Sequence, residues 1–381
     1  MKKNRFLFLA VLFLGGVFVS AQMPVNQPYW LTLERGKRYF RNGAYGDALI
    51  AFEDARRERQ AMYTRMEQAL IDLLSLPEVR FLGDSLENVE RYISDGYQVN
   101  AAAALEELYY RVSKGSLEGS VTRALEQLRL LKNYPEAEYW IGETYRVEGE
   151  LGIALRQYQK AYEQRVFLEN PGFDAEILYR MVDIHKARQE YTEMERRALE
   201  IIEGNSFEGS PRDPLWSEGA DTFTRNAMTR ILETDGIDRF LTLYRYLNPV
   251  VERAHRLLGF YYYASGRHNR AAEHLMFASL IQNTVLIEEI IRNLFDFTFS
   301  SLETLMEEIL KRPVLLAYID EVEYYKTLYY LGAALYGSTG ALTPAGSLWT
   351  FLNRQPQAGE WRGRAQRQLR SPFVEQALEM P

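Results

Sequence analysis

The chain has 381 residues, 47% of them hydrophobic and 25% charged, which is enough for two or three ordinary domains or one extended repeat array. It contains no cysteine, which excludes disulfides, thiolate zinc sites, iron–sulfur clusters and cysteine nucleophiles. The formal net charge of −7 argues against a general nucleic-acid binder, so we expect no nucleic-acid partner.

The first residues have the pattern of an export signal. Residues 2–5 carry three positive charges, an apolar run of 14 residues follows at 6–19, and small residues precede Gln22. This pattern is typical of a secretory signal peptide, here of bacterial type, that is cleaved before Gln22. A membrane anchor is the less favoured alternative, because a spanning helix needs about 20 apolar residues. We therefore expect a periplasmic or envelope-associated protein with no integral membrane span after cleavage.

A spacing of small and large residues recurs along the rest of the chain. It consists of a glycine, a tyrosine three positions later, a second glycine after seven, alanines after 12 and 19, and a large side chain after 16. Three copies lie at residues 29–62, 135–168 and 252–285, and a fourth starts near Gly332 with a displacement of one residue. Small residues let two helices approach closely, and the second glycine suits a helix C-terminus. Each copy predicts an antiparallel helical hairpin that must stack on its neighbours.

The repeating unit resembles that of the tetratricopeptide repeat family, which is 34 residues long. Ile141-Gly142-x2-Tyr145 and Leu258-Gly259-x2-Tyr262 match the centre of the family pattern, whereas its tryptophan is missing and its closing proline is often absent. The resemblance implies an all-α fold, a right-handed α-solenoid of stacked antiparallel helical hairpins. The gaps between the four copies are near-multiples of the unit length, which predicts degenerate hairpins, one of them at 218–251, and eight or nine hairpins in total.

The predicted organisation has five parts. They are a cleaved signal peptide (1–21), an N-terminal array (22–205), an elaborated loop (206–217), a C-terminal array (218–353) and a basic capping helix with a tail (354–381). The loop is predicted because this stretch is rich in Gly, Pro and Ser and exceeds the usual connection between stacked helices. A hinge between two sub-arrays is the alternative.

The sequence contains none of the common nucleotide-binding or hydrolase motifs. Three of its four histidines fall in one repeat, but His255 and His268 lie at opposite ends of a helix, about 20 Å apart, so we expect surface or groove imidazoles and no metal. Acidic pairs such as Glu303 and Glu307 lie on one face of a predicted helix, and that face is expected to be exposed to solvent. Because no carboxylate is predicted to be desolvated, we expect no catalytic residue and no cofactor.

The family resemblance also implies a concave groove lined by fixed positions of each first helix. In this chain those positions alternate between aromatic and cationic residues, which suits an extended peptide or a sugar polymer. The candidates are Lys37, Phe40, Tyr139, Arg146, Arg253, Arg256, Phe260, Tyr263, Lys326, Tyr329 and Tyr336. Packing between repeats is the alternative role for the tyrosines.

Residues 354–370 are predicted to form a basic helix with one apolar stripe, since five arginines stand against the single acid Glu360. A capping helix over the last apolar face of the array is the favoured interpretation. The alternative is a docking surface for an acidic partner or an anionic lipid, through Trp361, Arg362, Arg364 and Arg367.

These observations favour a non-enzymatic scaffold that binds an envelope protein or peptide in its groove. A module that binds a solute or a cell-wall glycan and accompanies a transporter or envelope enzyme is the alternative. A glycan hydrolase built on helical hairpins is a third and weaker hypothesis.

Overall fold

The computed structural model describes residues 28–74, 88, 91–92, 133–170, 172–204, 222–340 and 342–375. Within these ranges the chain is all-α, as predicted, and contains no strand. It divides into two compact units, Met1–Glu169 and Asn170–Pro381. The predicted signal peptide and the predicted loop at 206–217 lie outside the described residues.

Two helical hairpins lie among the described residues of the first unit. Its helices are α1 (Tyr29–Arg41), α2 (Tyr45–Leu74), α3 (Pro135–Val147) and α4 (Leu151–Glu163), followed by a 3₁₀ turn at Arg165–Phe167. Helix α2 packs on α3 through charged side chains that are largely buried. Glu138 of α3 pairs with Arg56 at 3.2 Å and with Lys160 at 2.5 Å, and the Arg59 guanidinium lies 4.3 Å from the centre of the Tyr134 ring.

The second unit contains ten helices among its described residues. They are α5 (Phe173–Ala187), α6 (Tyr191–Gly204), α7 (Thr222–Leu243), α8 (Pro249–Ala264), α9 (His268–Asn293), α10 (Leu302–Ile309), α11 (Pro313–Glu321), α12 (Tyr324–Thr339), α13 (Leu342–Arg354) and α14 (Glu360–Arg370), with a 3₁₀ turn at Pro356–Ala358. Two of these helices, α8 and α11, begin with proline at a position where its missing N–H costs no hydrogen bond, as does α3 of the first unit. No helix of the described chain is long and apolar enough to cross a membrane.

The hairpins share the close contact that the repeat predicts. In four of the five described hairpins the first helix has a glycine whose Cβ, if present, would lie 2.5–2.9 Å from a large side chain of the second helix. The four pairs are Gly36 with Phe52, Gly142 with Tyr158, Gly259 with Leu275, and Gly332 with Trp349. In the α5–α6 hairpin the sizes are exchanged, since Val182 and Ala198 occupy the two positions and both are fully buried.

The turns of four hairpins also follow one pattern. The second residue after the first helix of each hairpin has a positive φ, and the next N–H bonds back to a carbonyl five residues earlier at 2.8–3.0 Å, which is a Schellman motif. Glycine occupies the position at 43, 149 and 266, as predicted, and Gln189 occupies it in α5–α6 with φ 57°. Gly340 closes α12 by a single bond to Tyr336.

The order of packing in the second unit differs from the predicted one. Helix α6 packs directly on α8, and α9 packs on α12, so the three hairpins α5–α6, α8–α9 and α12–α13 contact one another in succession. The predicted degenerate hairpin at 218–251 is not placed between them. Helix α7, which has a non-helical residue at Gly236 with φ 81°, packs instead against α9 and α13. Five hairpins lie within the described residues, and the total of eight or nine stays a prediction.

Candidate functional site

In the second unit the first helices α5, α8 and α12 together form one surface, which we call the first-helix face. It contains a cleft of about 170 Å³, the cationic cleft, with four cations against two carboxylates. Its lining residues are Asp183, Lys186, Arg253, Arg256, Leu257, Phe260, Glu323 and Lys326. Four of the predicted groove residues, Arg253, Arg256, Phe260 and Lys326, thus come together at one place.

One side of the cationic cleft is formed where α5 meets α8. Tyr179 of α5 donates a hydrogen bond to the Val250 carbonyl at 2.5 Å and accepts one from the Ala254 N–H at 3.1 Å. Arg253 pairs with Asp183 and lies 4.7 Å from the centre of the Tyr179 ring. Its side chain is still 44% exposed, so the guanidinium can reach a further ligand.

The other side is formed where α8 meets α12. Arg256 pairs with Glu323 and with Glu252, the second at 3.0 Å, and Lys326 pairs with Glu323 at 2.7 Å. The Lys326 ammonium also lies 4.6 Å from the centre of the Phe260 ring. Glu323 has φ 49°, a left-handed conformation that costs free energy in a non-glycine residue. Burial alone would raise the pKa of Glu323, but Lys326 and Arg256 outweigh it and hold the pKa below its ordinary value.

A buried carboxylate lies behind the cationic cleft, which corrects the expectation that no carboxylate is desolvated. Glu252 is 5% exposed, and burial raises its pKa despite the opposing effect of Arg256. Gln282 donates to Glu252 at 2.6 Å and to the Val322 carbonyl at 2.9 Å. These bonds connect α8, α9 and the start of α12, so Glu252 holds the cleft together.

A second cluster on the first-helix face, the tyrosine pocket, consists of Tyr263, Tyr329, Tyr330, Trp361 and Arg364. Ring centres of successive members lie 5.0–5.7 Å apart, and the Arg364 guanidinium lies 4.7 Å from the Trp361 ring. The sequence predicts the groove and the basic helix as separate surfaces, whereas α14 places Trp361 and Arg364 beside α12 in one pocket. Tyr330 was missed because the positions implied by the resemblance do not include it.

The chain itself occupies the tyrosine pocket. Glu375 accepts a hydrogen bond from the Tyr329 hydroxyl at 3.1 Å and lies 3.5 Å from the Arg364 guanidinium. The Tyr263 hydroxyl donates to the Glu375 backbone carbonyl at 3.4 Å. Burial is the main reason that the pKa of Tyr329 rises to about 12, and the Glu375 carboxylate raises it further. The hydroxyl therefore stays protonated and donates at neutral pH.

Several predicted groove residues are packing residues. Four of them are nearly fully buried, namely Tyr139, Phe260, Tyr263 and Tyr329. Packing between helices, the alternative role considered for the tyrosines, is therefore a main role of these side chains. Tyr336 is half-buried against Trp349, with ring centres 6.1 Å apart. On α14, Arg367 is exposed, and Arg362 is exposed while it donates to the Asn353 carbonyl at 3.0 Å.

In the first unit the predicted groove residues gather around Trp140, which the sequence analysis missed. Phe40 and Tyr139 each lie 5.5 Å from Trp140 between ring centres, and the Lys37 ammonium lies 5.7 Å from the Trp140 ring. Arg146 pairs with Glu143 at 2.9 Å. Glu143 is 4% exposed and also accepts a hydrogen bond from Tyr158, and Glu138 is 2% exposed, so both are further desolvated carboxylates.

The histidines differ from the expectation of surface imidazoles. His255 and His274 are buried and face each other across the α8–α9 hairpin, with their Nδ1 atoms 3.1 Å apart. Burial holds the pKa of His255 well below its ordinary value, and His274 lowers it further. The sequence places His274 in the same repeat, but the expectation rests only on the separation of His255 from His268, whereas His274 lies on α9, the second helix of the same hairpin. In the parts of the chain that the structure describes, no three metal-binding side chains cluster.

Two proteins are similar to this chain over most of their length. An uncharacterized protein of Treponema pallidum (strain Nichols) is 22% identical over 339 residues, which cover 88% of each chain. An uncharacterized protein of Borreliella burgdorferi (strain B31) is 21% identical over 238 residues, which cover 59% of this chain and 72% of that protein. No protein-family model matches the chain, and no solved structure matches it.

Proposed function

We propose that the chain is a non-enzymatic, exported scaffold that binds a protein or peptide partner on its first-helix face. The observation that carries the proposal is the convergence of α5, α8 and α12, which places the cationic cleft and the tyrosine pocket on one surface. Phe260 connects the two, since its ring centre lies 5.7 Å from that of Tyr330. Arginine paired with aromatic rings is the composition that anchors carboxylate-bearing peptides.

The proposed fold is a right-handed solenoid like that of the tetratricopeptide repeat family. Support comes from the shared first-helix glycine contacts and from the common turn of four hairpins. Helix α14 would be the predicted cap, because it packs on α12 and α13 and buries Ala365 and Gln368.

Export is proposed from the sequence pattern of residues 1–21 alone. The mature chain would begin at Gln22 and reside in the periplasm or at the cell envelope. Mass spectrometry of the purified protein from its native host tests this, since retention of residues 1–21 would contradict cleavage.

A non-enzymatic role is supported by the partners of the buried carboxylates. Glu252 accepts hydrogen bonds from Arg256 and Gln282, and Glu143 accepts from Arg146 and Tyr158. A general acid must instead be held near its substrate with its proton available for transfer. The alternative of a solute-binding module has less support at the cationic cleft, because its volume of about 170 Å³ is smaller than the ~300–1,000 Å³ typical of small-molecule sites.

Quantitative affinity capture from the native envelope tests the proposal. The cleft variant Arg253→Ala/Lys326→Ala removes two of the four cations that line the cationic cleft. The matched control Arg292→Ala/Lys311→Ala removes two cations that are 71% and 64% exposed elsewhere. The control should keep the melting temperature of the wild type, because exposed ion pairs contribute about 0–1 kcal/mol. The cleft variant should lower it slightly, because Lys326 is 25% exposed and lies against the Phe260 ring.

We expect the captured partner to fall at least about tenfold with the cleft variant and to stay unchanged with the control, since a buried charge-assisted contact contributes ~1.5–3 kcal/mol. Equal capture by the two variants would contradict the proposal. Saturable binding of muropeptides or organic acids, without any captured protein, would favour the alternative.

A further inference from the structure

The segment that follows α14 lies against the first-helix face as an extended peptide would. Residues 372–375 have no regular secondary structure, and three helices hold the segment. Gln368 of α14 accepts from the Phe373 N–H at 3.0 Å, Tyr263 of α8 donates to the Glu375 carbonyl, and Tyr329 of α12 donates to the Glu375 carboxylate. In two of these contacts the segment contributes only its backbone, so any extended segment could make them. The carboxylate contact requires an acidic residue.

The pocket is well packed, whereas its occupant is not. Tyr263, Tyr329 and Tyr330 are 1–2% exposed and are held on two separate helices. In the segment, Phe373 and Val374 are 45% and 43% exposed, so the segment buries little apolar surface. Its attachment rests on polar contacts of 3.0–3.5 Å, which water or a competing peptide can replace. A rigid site with a weakly packed occupant is the arrangement that permits exchange.

The charges agree with an acidic ligand. Arg364 lies 3.3 Å from the Tyr330 hydroxyl and 3.5 Å from the Glu375 carboxylate, and it also pairs with Glu360 at 3.3 Å. The neighbouring cationic cleft adds four cations against two carboxylates. An extended segment with acidic residues therefore fits the first-helix face along its length.

We infer that the tyrosine pocket is a binding subsite for an acidic side chain of an extended partner segment, and that the chain's own Glu375 occupies it until a partner displaces it. This inference rests on the function proposed above and specifies the chemistry of the partner. Residues 371–375 then act as an internal competitor. Because a tethered segment has an effective concentration in the millimolar range, it lowers the apparent affinity of a peptide by the fraction of sites that it occupies.

Fluorescence anisotropy with a labelled peptide of residues 371–381 tests the inference. The full chain is compared with a variant that ends at Arg370. We expect the shortened chain to bind the peptide at least about tenfold more tightly than the full chain, because its pocket has no internal competitor. Equal affinities, or no binding to a shortened chain that keeps its melting temperature and helical circular dichroism, would overturn the inference.

Matched variants identify the contacts. A peptide with Glu375→Gln should bind the shortened chain at least about tenfold more weakly, and Arg364→Ala in the shortened chain should have a similar effect. Arg354→Ala, at an arginine of α13 that is 64% exposed, is the control and should leave binding unchanged. Unchanged binding of the Glu375→Gln peptide would show that the pocket does not select an acid and would overturn the inference.

If the shortened chain does not fold, Glu375→Gln in the full chain replaces it. This substitution weakens the internal competitor and leaves the rest of the chain intact, so the full-length variant should bind the wild-type peptide more tightly than the parent does. Equal binding would overturn the inference. If the peptide does not bind but the partner is still captured, only this subsite is rejected. Equal capture of the partner by the cleft variant and its control would reject the proposed function.

Discussion

At four first-helix glycines the absent Cβ is what allows two helices to approach. Phe52, Tyr158, Leu275 and Trp349 fill the space above them, and these side chains are fully buried. Each of these contacts was predictable from the sequence, because a glycine and a large residue 16 or 17 positions later recur together. The exchange at Val182 and Ala198 was not predictable, since neither position carries the glycine or the large residue that defines the spacing pattern.

Gly142→Ala tests this packing. A Cβ there would lie 2.9 Å from the Tyr158 ring, and we expect a loss of ~1–2 kcal/mol in the free energy of unfolding, because overpacking exceeds the gain in helix propensity. Gly152→Ala in the same hairpin meets no atom within 4 Å and should be neutral or slightly stabilising. Urea denaturation of both variants makes the comparison, and an equal effect of the two would contradict the packing role.

The buried His255 predicts a pH dependence of stability. Its folded-state pKa is well below the unfolded value of about 6.5, so below pH 6.5 the unfolded chain takes up a proton that the folded chain does not. Its contribution to stability is therefore complete above pH 6.5 and is lost as the pH falls towards the folded-state pKa. The raised pKa of Glu252 acts in the opposite direction, which makes a variant comparison necessary.

We expect the wild type to lose up to about 1.4 kcal/mol per pH unit more than His255→Gln between pH 6.5 and 5.5, because one proton separates the two states. Urea denaturation at pH 7.5, 6.5 and 5.5 measures the difference. Parallel pH profiles of the two proteins would contradict a difference in the pKa of His255 between the folded and unfolded states.

Among the elements, the hairpin turn is the one that the sequence predicts best. The second glycine of the pattern becomes the left-handed residue of a Schellman motif at 43, 149 and 266. Gln189 makes the same turn without glycine, and sequence spacing alone could not reveal this, because the backbone hydrogen bonds rather than the residue type define the motif. Glu323 is a similar case, since its ion pairs with Arg256 and Lys326 accompany its positive φ.

Two substitutions at equivalent turns should have opposite effects. Gly149→Ala introduces a Cβ at φ 84° and should cost ~1–2 kcal/mol of folding free energy. Gln189→Gly relieves the same strain at φ 57° and should stabilise by ~0.5 kcal/mol after the entropy of glycine in the unfolded chain is deducted. Thermal denaturation checks the signs, and destabilisation by both changes would contradict the shared turn.

For the whole molecule, the class of fold was predictable and the order of packing was not. Periodicity and glycine spacing indicate helical hairpins, but the contact of α6 with α8 across residues 205–248 depends on particular side chains, such as Tyr262 of α8 donating to Glu195 of α6, that have no periodic signature. Likewise, α14 was predicted as a separate cap, whereas its Trp361 and Arg364 complete the tyrosine pocket. Three-dimensional neighbours that are distant in sequence thus determine the candidate site.

The second unit should fold without the first. Its helices α5–α14 bury a core among themselves, including Phe240, Phe277 and Trp349. We expect a chain of residues 170–381 to show helical circular dichroism and one cooperative melting transition. A spectrum of an unfolded chain would contradict the assignment of this unit as compact by itself.

The central claim is that the first-helix face of the second unit binds the partner. A photoreactive amino acid placed at the exposed Lys186, on the rim of the cationic cleft, tests it in intact cells, with the exposed Arg292 on α9 as the control position. The account predicts an adduct of defined mass from position 186 that disappears with Arg253→Ala/Lys326→Ala, and no adduct from position 292. An adduct from position 292 with none from position 186 would contradict it.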